Sequence, residues 1–505
     1  MRDSGRYVLS IDGGTESVRA GVFDDAGRLV HSAASPYGTD FPKSGWAEQD
    51  PDEWWHCLGT ASRRCLQEVG IPPSSVQGVC LDATTCTLVP LDTAGRVLRP
   101  AFLWMDVRAA EQARRIFETG HESLRYSPSG CNAEWMVCKA LWMKEHEPEV
   151  YERTADLLEY TDWLVFKLTG TKALNINTVT QRWFYNDREW KFPADLYRQI
   201  GIPDLVERMP KRVVAGGEPV GGLTEEAAEH IGLQEGTPVF EGGGDAFVSL
   251  LGLGITASGP MAMVSGSSTV FVTQSDHEVH GEGLYGGFPD AVIPGLWLLE
   301  AGQTSSGSVL AWYKRNFLKD LPDDEAYALM DAEAQSIPPG SGGLVMITDF
   351  QGNRSPYSDS SVRGALWGLS LATSRAEIFR AIMEGVAYGA EQIRRTFEGH
   401  GIEIREFVAC GGATKSELYM QIISDVTGLP IRLTKVPEAP LLGGAILAAA
   451  GCGWYRDVFE AAERMVHTSR TFEPDGENHR RYLPFVEHHR RTYEGLGKLM
   501  RESAT

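Results

Sequence analysis

Apolar and polar positions follow two rhythms along this chain, and the switches between them mark its elements. Tyr7 to Ile11 and Val18 to Phe23 are apolar, β-prone runs separated by Gly13 and Gly14, and Asp24-Asp25-Ala26-Gly27 follows with turn chemistry. That pattern predicts a hairpin. At Asp50-Pro51 the period lengthens. Trp54, Trp55, Leu58, Ala61, Cys65 and Leu66 recur at helical spacing behind an Asp N-cap and a Pro in the first turn. These tryptophans read as core. Val76 to Leu81 and Leu88 to Leu91 return to strand pattern, with Asp82-Ala-Thr-Thr-Cys-Thr87 between them. Helices are expected over 109–117, 134–144, about 157–168 and, behind Thr224, 225–231. Residues 172–215 read as polar loop with short helix. A strand over 237–240 then runs into Glu241-Gly-Gly-Gly-Asp245 and a further helix.

From Gly259 the pattern begins again. Met261 to Val264, Ser265-Gly266-Ser267-Ser268-Thr269 and Val270 to Thr273 repeat strand, turn and strand, with glycine and hydroxyls kept and the Asp gone. Strands over 296–300 and 340–348, a helix opening near Gly307 and a long helix over 374–396 follow. Phe407 to Cys410 is a strand ending in Gly411-Gly412. An Ala-rich helix runs from Ala439 to about Gly451, and the tail is a polar surface helix. The recurrence reads as a diverged internal duplication that yields two domains of like topology.

Length agrees, since 505 residues exceed what one hydrophobic core serves. A hydrophobic content of 42% and a charged content of 23% are those of an ordinary soluble protein. The net charge of −21 argues against general nucleic-acid binding, which needs a basic footprint. No apolar run reaches bilayer-spanning length, so no membrane partner is expected. Met1 to Tyr7 leads straight into the first strand with no signal-peptide core, which predicts a cytoplasmic protein. The eight cysteines form no Cys-x-x-Cys pair and suit neither a zinc site nor a disulfide framework.

Several stretches can carry chemistry, each with a plainer alternative. Asp12-Gly13-Gly14-Thr15 offers turn amides and a hydroxyl to phosphate oxygens and a carboxylate to a hydrated Mg²⁺, or is an ordinary hairpin. Asp245 lies at a helix start beside three glycines, where an anionic ligand can approach closely. Asp82 and the hydroxyls after it suit polar ligand contacts, or ordinary sheet. Trp104, Asp106 and Arg108 at the mouth of a helix can grip a polyol, or are an N-cap Asp with a solvated Arg. Lys139 sits among apolar neighbours. Gly411-Gly412 lets a flat base and ribose lie against the backbone, or makes a tight turn.

Together these stretches resemble the FGGY carbohydrate kinases, within the sugar kinase, Hsp70 and actin superfamily, over about residues 7–455. Gly364-Ala-Leu-Trp-Gly-Leu369 followed by Glu377-Ile-Phe-Arg-Ala-Ile-Met-Glu384 looks like the C-terminal signature of that family. Cys131 to His146, centred on Lys139 and Trp142, looks like the N-terminal one, with Cys138 where other members often have Pro. The resemblance implies an α/β fold of two ribonuclease-H-like (actin-like ATPase) domains with an interdomain active-site cleft. Residues 1–255 would carry the sugar site, the first phosphate hairpin and the catalytic Asp. Residues 256–505 would carry the nucleotide site and a helical tail.

It further implies ATP and Mg²⁺. The phosphates would lie between Asp12, Gly13, Gly14 and Thr15 on one side and Gly266, Ser267 and Ser268 on the other, with adenosine near Gly411 and Gly412 and Gly307 lining the pocket. Asp245 matches the general base, and the metal lies near Asp12 and Asp245. Asp82-Ala-Thr-Thr-Cys-Thr87 and Glu300-Ala-Gly-Gln303 look like ribulokinases. By that likeness Trp104, Asp245 and Glu300 contact a ketopentose, and Arg182 stands where ribulokinases use a lysine, which is not a conservative change. Asp82 and Asp106 join the sugar contacts from the reading of their own stretches. Leu103 to Ala109 resembles D-ribulose-type and broader pentulose kinases, so the enantiomer stays open. The expected reaction is ATP-dependent phosphorylation of the primary hydroxyl of ribulose. The rivals are the same chemistry on xylulose, erythrulose, erythritol or ribitol, a non-catalytic sugar sensor, and a chaperone- or actin-type ATPase. Homodimers are common in such families.

Overall fold

A computed structural model describes residues 5–503; Met1 to Ser4, expected to lead into the first strand, lie outside the described residues, as do 504–505. The hairpin forms at the predicted place. Strand Tyr7–Gly13 pairs antiparallel with Ser17–Asp24, which pairs with Leu29–Pro36. On the other side Tyr7–Gly13 pairs in parallel with Val76–Ala83, then Pro238–Gly244, and Pro219–Gly222 closes the sheet. Asp24 builds the turn, accepting from the N–H groups of Ala26 and Arg28, both at 2.9 Å.

The second sheet repeats that order. Strand Pro260–Ser265 pairs antiparallel with Thr269–Ser275, and Trp297–Gln303 and Tyr285–Pro289 follow. In the other direction lie Glu406–Cys410 and Ile431–Thr434, both parallel, and then Thr468–Phe472. In each sheet a central strand has its hairpin partner on one side and parallel strands on the other. The chain is therefore a duplicated α/β fold of the actin-like ATPase kind. Among the described residues no helix is long and apolar enough to cross a membrane.

Two helices lock the halves together. Helix Ala439–Gly451 is buried along most of its length because nearly every residue in it is small or apolar. Though late in the chain, it packs on the first sheet, with Leu441, Ala445 and Ile446 among Val8, Phe23, Cys80 and Phe240. Helix Asp245–Gly252 crosses the other way. Its Phe247 and Leu250 join Ala262, Val272 and Phe288 of the second half, while Val248 and Leu251 join helix Ala439–Gly451. Where the helices meet there is no room for side chains. A Cβ on Gly443 would collide with the Val248 carbonyl oxygen, and one on Gly252 with that of Ala439.

Some expectations need correction. The helix expected over 157–168 is a strand, Asp156–Glu159, followed by helix Tyr160–Thr169. Leu157 and Leu158 pair with Pro90 and Val89 of strand Leu88–Leu91, and this tertiary pairing overrides the local helical pattern. The strand expected over 340–348 shrinks to Val345–Ile347, because Gly340 and Gly342 turn the chain before it. The tail helix Gly476–Ser503 is not wholly polar, since Tyr482, Val486 and Tyr493 are buried.

The helix contact generates a test. Gly443→Val should destabilise the protein by at least ~2 kcal/mol through overpacking against a fixed carbonyl, read as a lower midpoint in thermal or urea unfolding. An unchanged midpoint would contradict the tight crossing.

Candidate active site

Three strand ends and one helix start converge. Asp12 and Asp82 are register neighbours on parallel strands, and Gly243 lies opposite Asp82 on the next strand. Asp245 begins its helix two residues later, with the Ala246 N–H donating to its Oδ1 at 2.6 Å. Burial, then the charge of Asp245, pushes the Asp12 carboxyl up to about 7, against the pull of Arg19 at 3.6 Å. Burial, then Asp12 and Asp245, raises Asp82 well above the usual carboxylate range. Burial raises Asp245 as well, against the Ala246 amide. Among the described residues neither oxygen of Asp82 has a hydrogen-bond partner.

A proton or a cation between Asp12 and Asp82 would relieve this crowding. The donors are hard oxygens, as Mg²⁺ requires. Among the described residues no group of three or more His, Cys, Asp or Glu side chains stands arranged as a metal cage. An ion at Asp12 and Asp245 would therefore complete its shell with phosphate oxygens and water, the usual arrangement at kinase sites.

The first hairpin turn is braced from outside. Gly13 has no space for a side chain against Tyr160, and the Tyr37 hydroxyl donates to the Gly14 carbonyl. Gln49 Nε2 donates to the Thr15 carbonyl at 2.8 Å, and Trp104 Nε1 donates to Thr15 Oγ1 at 3.0 Å. Trp104 is 37% exposed, so its ring face remains open beside the turn.

The echo hairpin exposes Gly266, Ser267 and Ser268. The Ser267 carbonyl accepts from the N–H groups of Ser306 and Ser308 at 3.1 and 3.0 Å. A Cβ on Gly307 would strike the Gly266 carbonyl oxygen. Gly411, at φ +95°, lies against the Ser265 carbonyl, where a side chain would be both strained and blocked. The structure thus brings together Gly266 to Ser268, Gly307 and Gly411, with Gly412 exposed beside them.

Asn175 caps the short helix Ile176–Arg182 by accepting from the Asn177 N–H. Arg182 Nη1 lies 3.3 Å from Glu300 Oε1, a nearly buried ion pair joining the two halves. Glu134 and the part-exposed Arg354 form a second pair between the halves at 3.6 Å. Tyr285 lies opposite Glu300 in strand register, and burial pushes its hydroxyl up. Lys139 is fully buried, with Nζ donating to the Cys86 and Leu103 carbonyls at 2.5 and 2.6 Å. It thereby ties the turn after Asp82 to the segment that presents Trp104. Burial pushes Lys139 down and Glu159 up to about 7.

Asp106 differs from expectation. It is fully buried, accepting from the Ala47 N–H at 2.8 Å and from the Arg108 guanidinium. Nor is Arg108 solvated. It pairs with Glu48 at 2.7 Å and lies 3.6 Å from the Trp46 ring centroid. This is a structural brace under the Trp104 loop, and its carboxylate does not face the cleft. Sequence reading missed Glu134, Tyr285, Arg354 and Asn177. Only Glu134 carried a signal, as an acid inside the stretch around Lys139.

The family model for the FGGY family of carbohydrate kinases matches this chain twice, its N-terminal domain at residues 7–252 and its C-terminal domain at 261–452. A ribulokinase of Shouchella clausii is 33% identical over 98% of this chain and 96% of its own length. A xylulose kinase of Staphylococcus epidermidis is 27% identical over 99% and 98%. The crystal structure of xylulose kinase from Rhodospirillum rubrum superposes with a TM-score of 0.88 at 26% identity, covering 98% of this chain and all of that one.

The carboxyl cluster predicts a pH-dependent stability. Asp12 is raised above its unfolded value near 4, so its favourable contribution is complete below pH ~4 and is lost as pH rises through about 7. Asp12→Asn should therefore raise the melting temperature of the ligand-free protein at pH 8, by a gain that shrinks as pH falls from 7 towards 4. Calorimetric scans across that range check it, and a flat difference would refute the crowding.

Proposed function

This chain belongs to the FGGY family of carbohydrate kinases, and on that basis we propose that it transfers the γ-phosphoryl group of ATP to the primary hydroxyl of a ketopentose, ribulose first, in its D or L form. The observation that carries the chemistry is the place of Asp245. It stands at a helix start on the element shared by both halves, half-buried, with Oδ1 accepting from the Ala246 N–H of its own helix.

A sugar hydroxyl is a weak nucleophile, and Asp245 accepts its proton as it attacks. The transition state of phosphoryl transfer is loose, so the protein contributes mainly by positioning and charge stabilisation. The turns Gly13 to Thr15 and Gly266 to Ser268 hold phosphate oxygens, shaped by the Gly14 and Gly266 N–H groups that donate to the Ser17 and Ser268 carbonyls. Mg²⁺ held by Asp12 and Asp245 would neutralise charge on the transferring group. Trp104 lays its ring on the C–H face of the sugar, and Arg182 and Glu300 take its hydroxyls.

Ribulose is placed first because the ribulokinases share more identity with this chain than the xylulose kinases do. Xylulose is the second reading, favoured by the close likeness to a xylulose kinase structure. The Arg at 182 offers a planar fork of donors where a lysine would offer a point charge, and on this reading that fork gives the pocket its own selectivity.

Asp245→Asn should lower kcat by about 10²–10⁴-fold while ATP still binds, measured by coupled ADP release and by calorimetry. Near-normal turnover would remove Asp245 as the base. On a panel of D- and L-ribulose, xylulose, erythrulose, ribitol and erythritol, a ribulose should give the highest kcat/KM; preference for another acceptor would reassign the substrate.

A further inference from the structure

The turn that carries Asp245 is gripped by a side chain from outside its own strand and helix. Asn177 is buried in helix Ile176–Arg182. Its Oδ1 accepts from the Gly244 N–H at 2.9 Å, one residue before Asp245. Its Nδ2 donates to the Ala291 carbonyl at 3.0 Å, in the second half of the chain. The two bonds use opposite ends of one planar amide, so each partner dictates which end it receives.

Asn177 is itself held. Its N–H donates to Asn175 Oδ1 at 2.7 Å, and its carbonyl accepts from Gln181 Nε2 at 2.6 Å. The glycines opposite are shaped to receive it. A Cβ on Gly243 would come within 2.9 Å of the Asn177 Cβ, and one on Gly244 would strike the Thr85 methyl. Beside Ala291, Asp290 takes both ends of the Arg188 guanidinium at 2.8 and 2.7 Å, so the distal anchor is fixed too.

We infer that Asn177 is a positioning residue for catalysis, aiming the Asp245 carboxylate through the Gly244 amide and tying that aim to the opposite half through Ala291. The inference rests on the reading of Asp245 as the base. Fixing the Gly244 amide sets the rotation of the first helical turn, and so the direction of the carboxylate. A displacement of about 1 Å at a catalytic group can reduce turnover ~10²-fold. The same helix ends in Arg182, paired with Glu300. One short element therefore couples the base to the Arg182–Glu300 pair.

The charged groups around Asp245 are Asp12 and Asp82, Arg19 on Asp12, and Arg182, whose guanidinium lies 5.7 Å from the Phe247 ring centroid. Helix Ala439–Gly451 carries no ionisable side chain. Against that background Asn177→Asp keeps an acceptor for Gly244, loses the donor to Ala291 and adds a negative charge near the base.

The test measures kcat, both KM values and the melting temperature for Asn177→Ala and Asn177→Asp, with the preferred sugar from the panel above. Asn177→Ala should lose about 10–100-fold in kcat with KM for ATP and sugar within about two-fold of the parent. Asn177→Asp, which loses the donor to Ala291, should likewise lose ~10-fold or more in kcat with both KM values held. A simple packing role would lower the melting temperature and leave the kcat of the folded protein in place. Asn177→Ala with kcat within two-fold of the parent overturns the inference; if the alanine variant does not fold, the aspartate variant decides, and a kcat within two-fold of the parent there overturns it. Full turnover by Asp245→Asn would strike the base assignment and this inference together. An inactive Asp245→Asn beside a fully active Asn177→Ala strikes this inference alone.

Discussion

The crossing of helices Asp245–Gly252 and Ala439–Gly451 is the constraint on which the rest of this molecule depends. Each helix serves the opposite half of the chain as well as its own. Because the contact is backbone to backbone at Gly443 and Gly252, neither helix can slide or rotate without a collision. The site carboxylate stands at the free start of one of these helices. Its place is thus set by both sheets at once, as a group that meets substrates from both sides of a cleft must be.

That geometry carries an electrostatic penalty. Burial raises Asp12, Asp82 and Asp245, the charge of Asp245 adds to the rise of Asp12, the charges of Asp12 and Asp245 add to that of Asp82, and the cation beside Asp12 is the half-exposed Arg19, 3.6 Å away. A fold selected for stability alone would replace at least one of these carboxyls with a neutral residue. Their retention is a local destabilisation of the kind found where binding a cation or moving a proton requires it. The same logic separates them from Asp106, which has an arginine on it and a backbone amide to accept from. Both are buried aspartates in loops or strand ends; what differs is whether the protein has already supplied the partner.

Much of this was readable in the chain. The two hairpins, their recurrence and the glycine pairs after strands are local signals, because turn geometry and close approach are decided within a few residues. Gly307 and Gly411 proved to be glycines for a shared reason, since both press on the Ser265–Gly266 backbone. What escaped reading was partner choice. Leu157 and Leu158 look helical until strand Leu88–Leu91 pairs with them. Trp104, Asp106 and Arg108 are adjacent in sequence, yet Trp104 alone faces the open turn while the others are buried beneath it. Asn177 lies in an unremarkable polar stretch and matters because of Gly244 and Ala291, 67 and 114 residues away.

The pair Arg182–Glu300 extends the argument from position to selectivity. It is nearly buried, so its desolvation is only partly repaid by one contact at 3.3 Å, and Arg182 Nε has no acceptor. A polyhydroxylated ligand between the two halves can supply what is missing, an acceptor to the idle Nε and a donor to Glu300, without either charge having to return to water. An apolar or shorter ligand cannot. On the proposed reading, selectivity then comes from leaving a buried, incomplete ion pair for the correct hydroxyl pattern to finish. Because Glu300 lies in one half and Arg182 in the other, the pair spans the two halves of the chain. The helix that carries Arg182 begins at the residue next to Asn177, so the pair and the grip on the turn of Asp245 share a single short element.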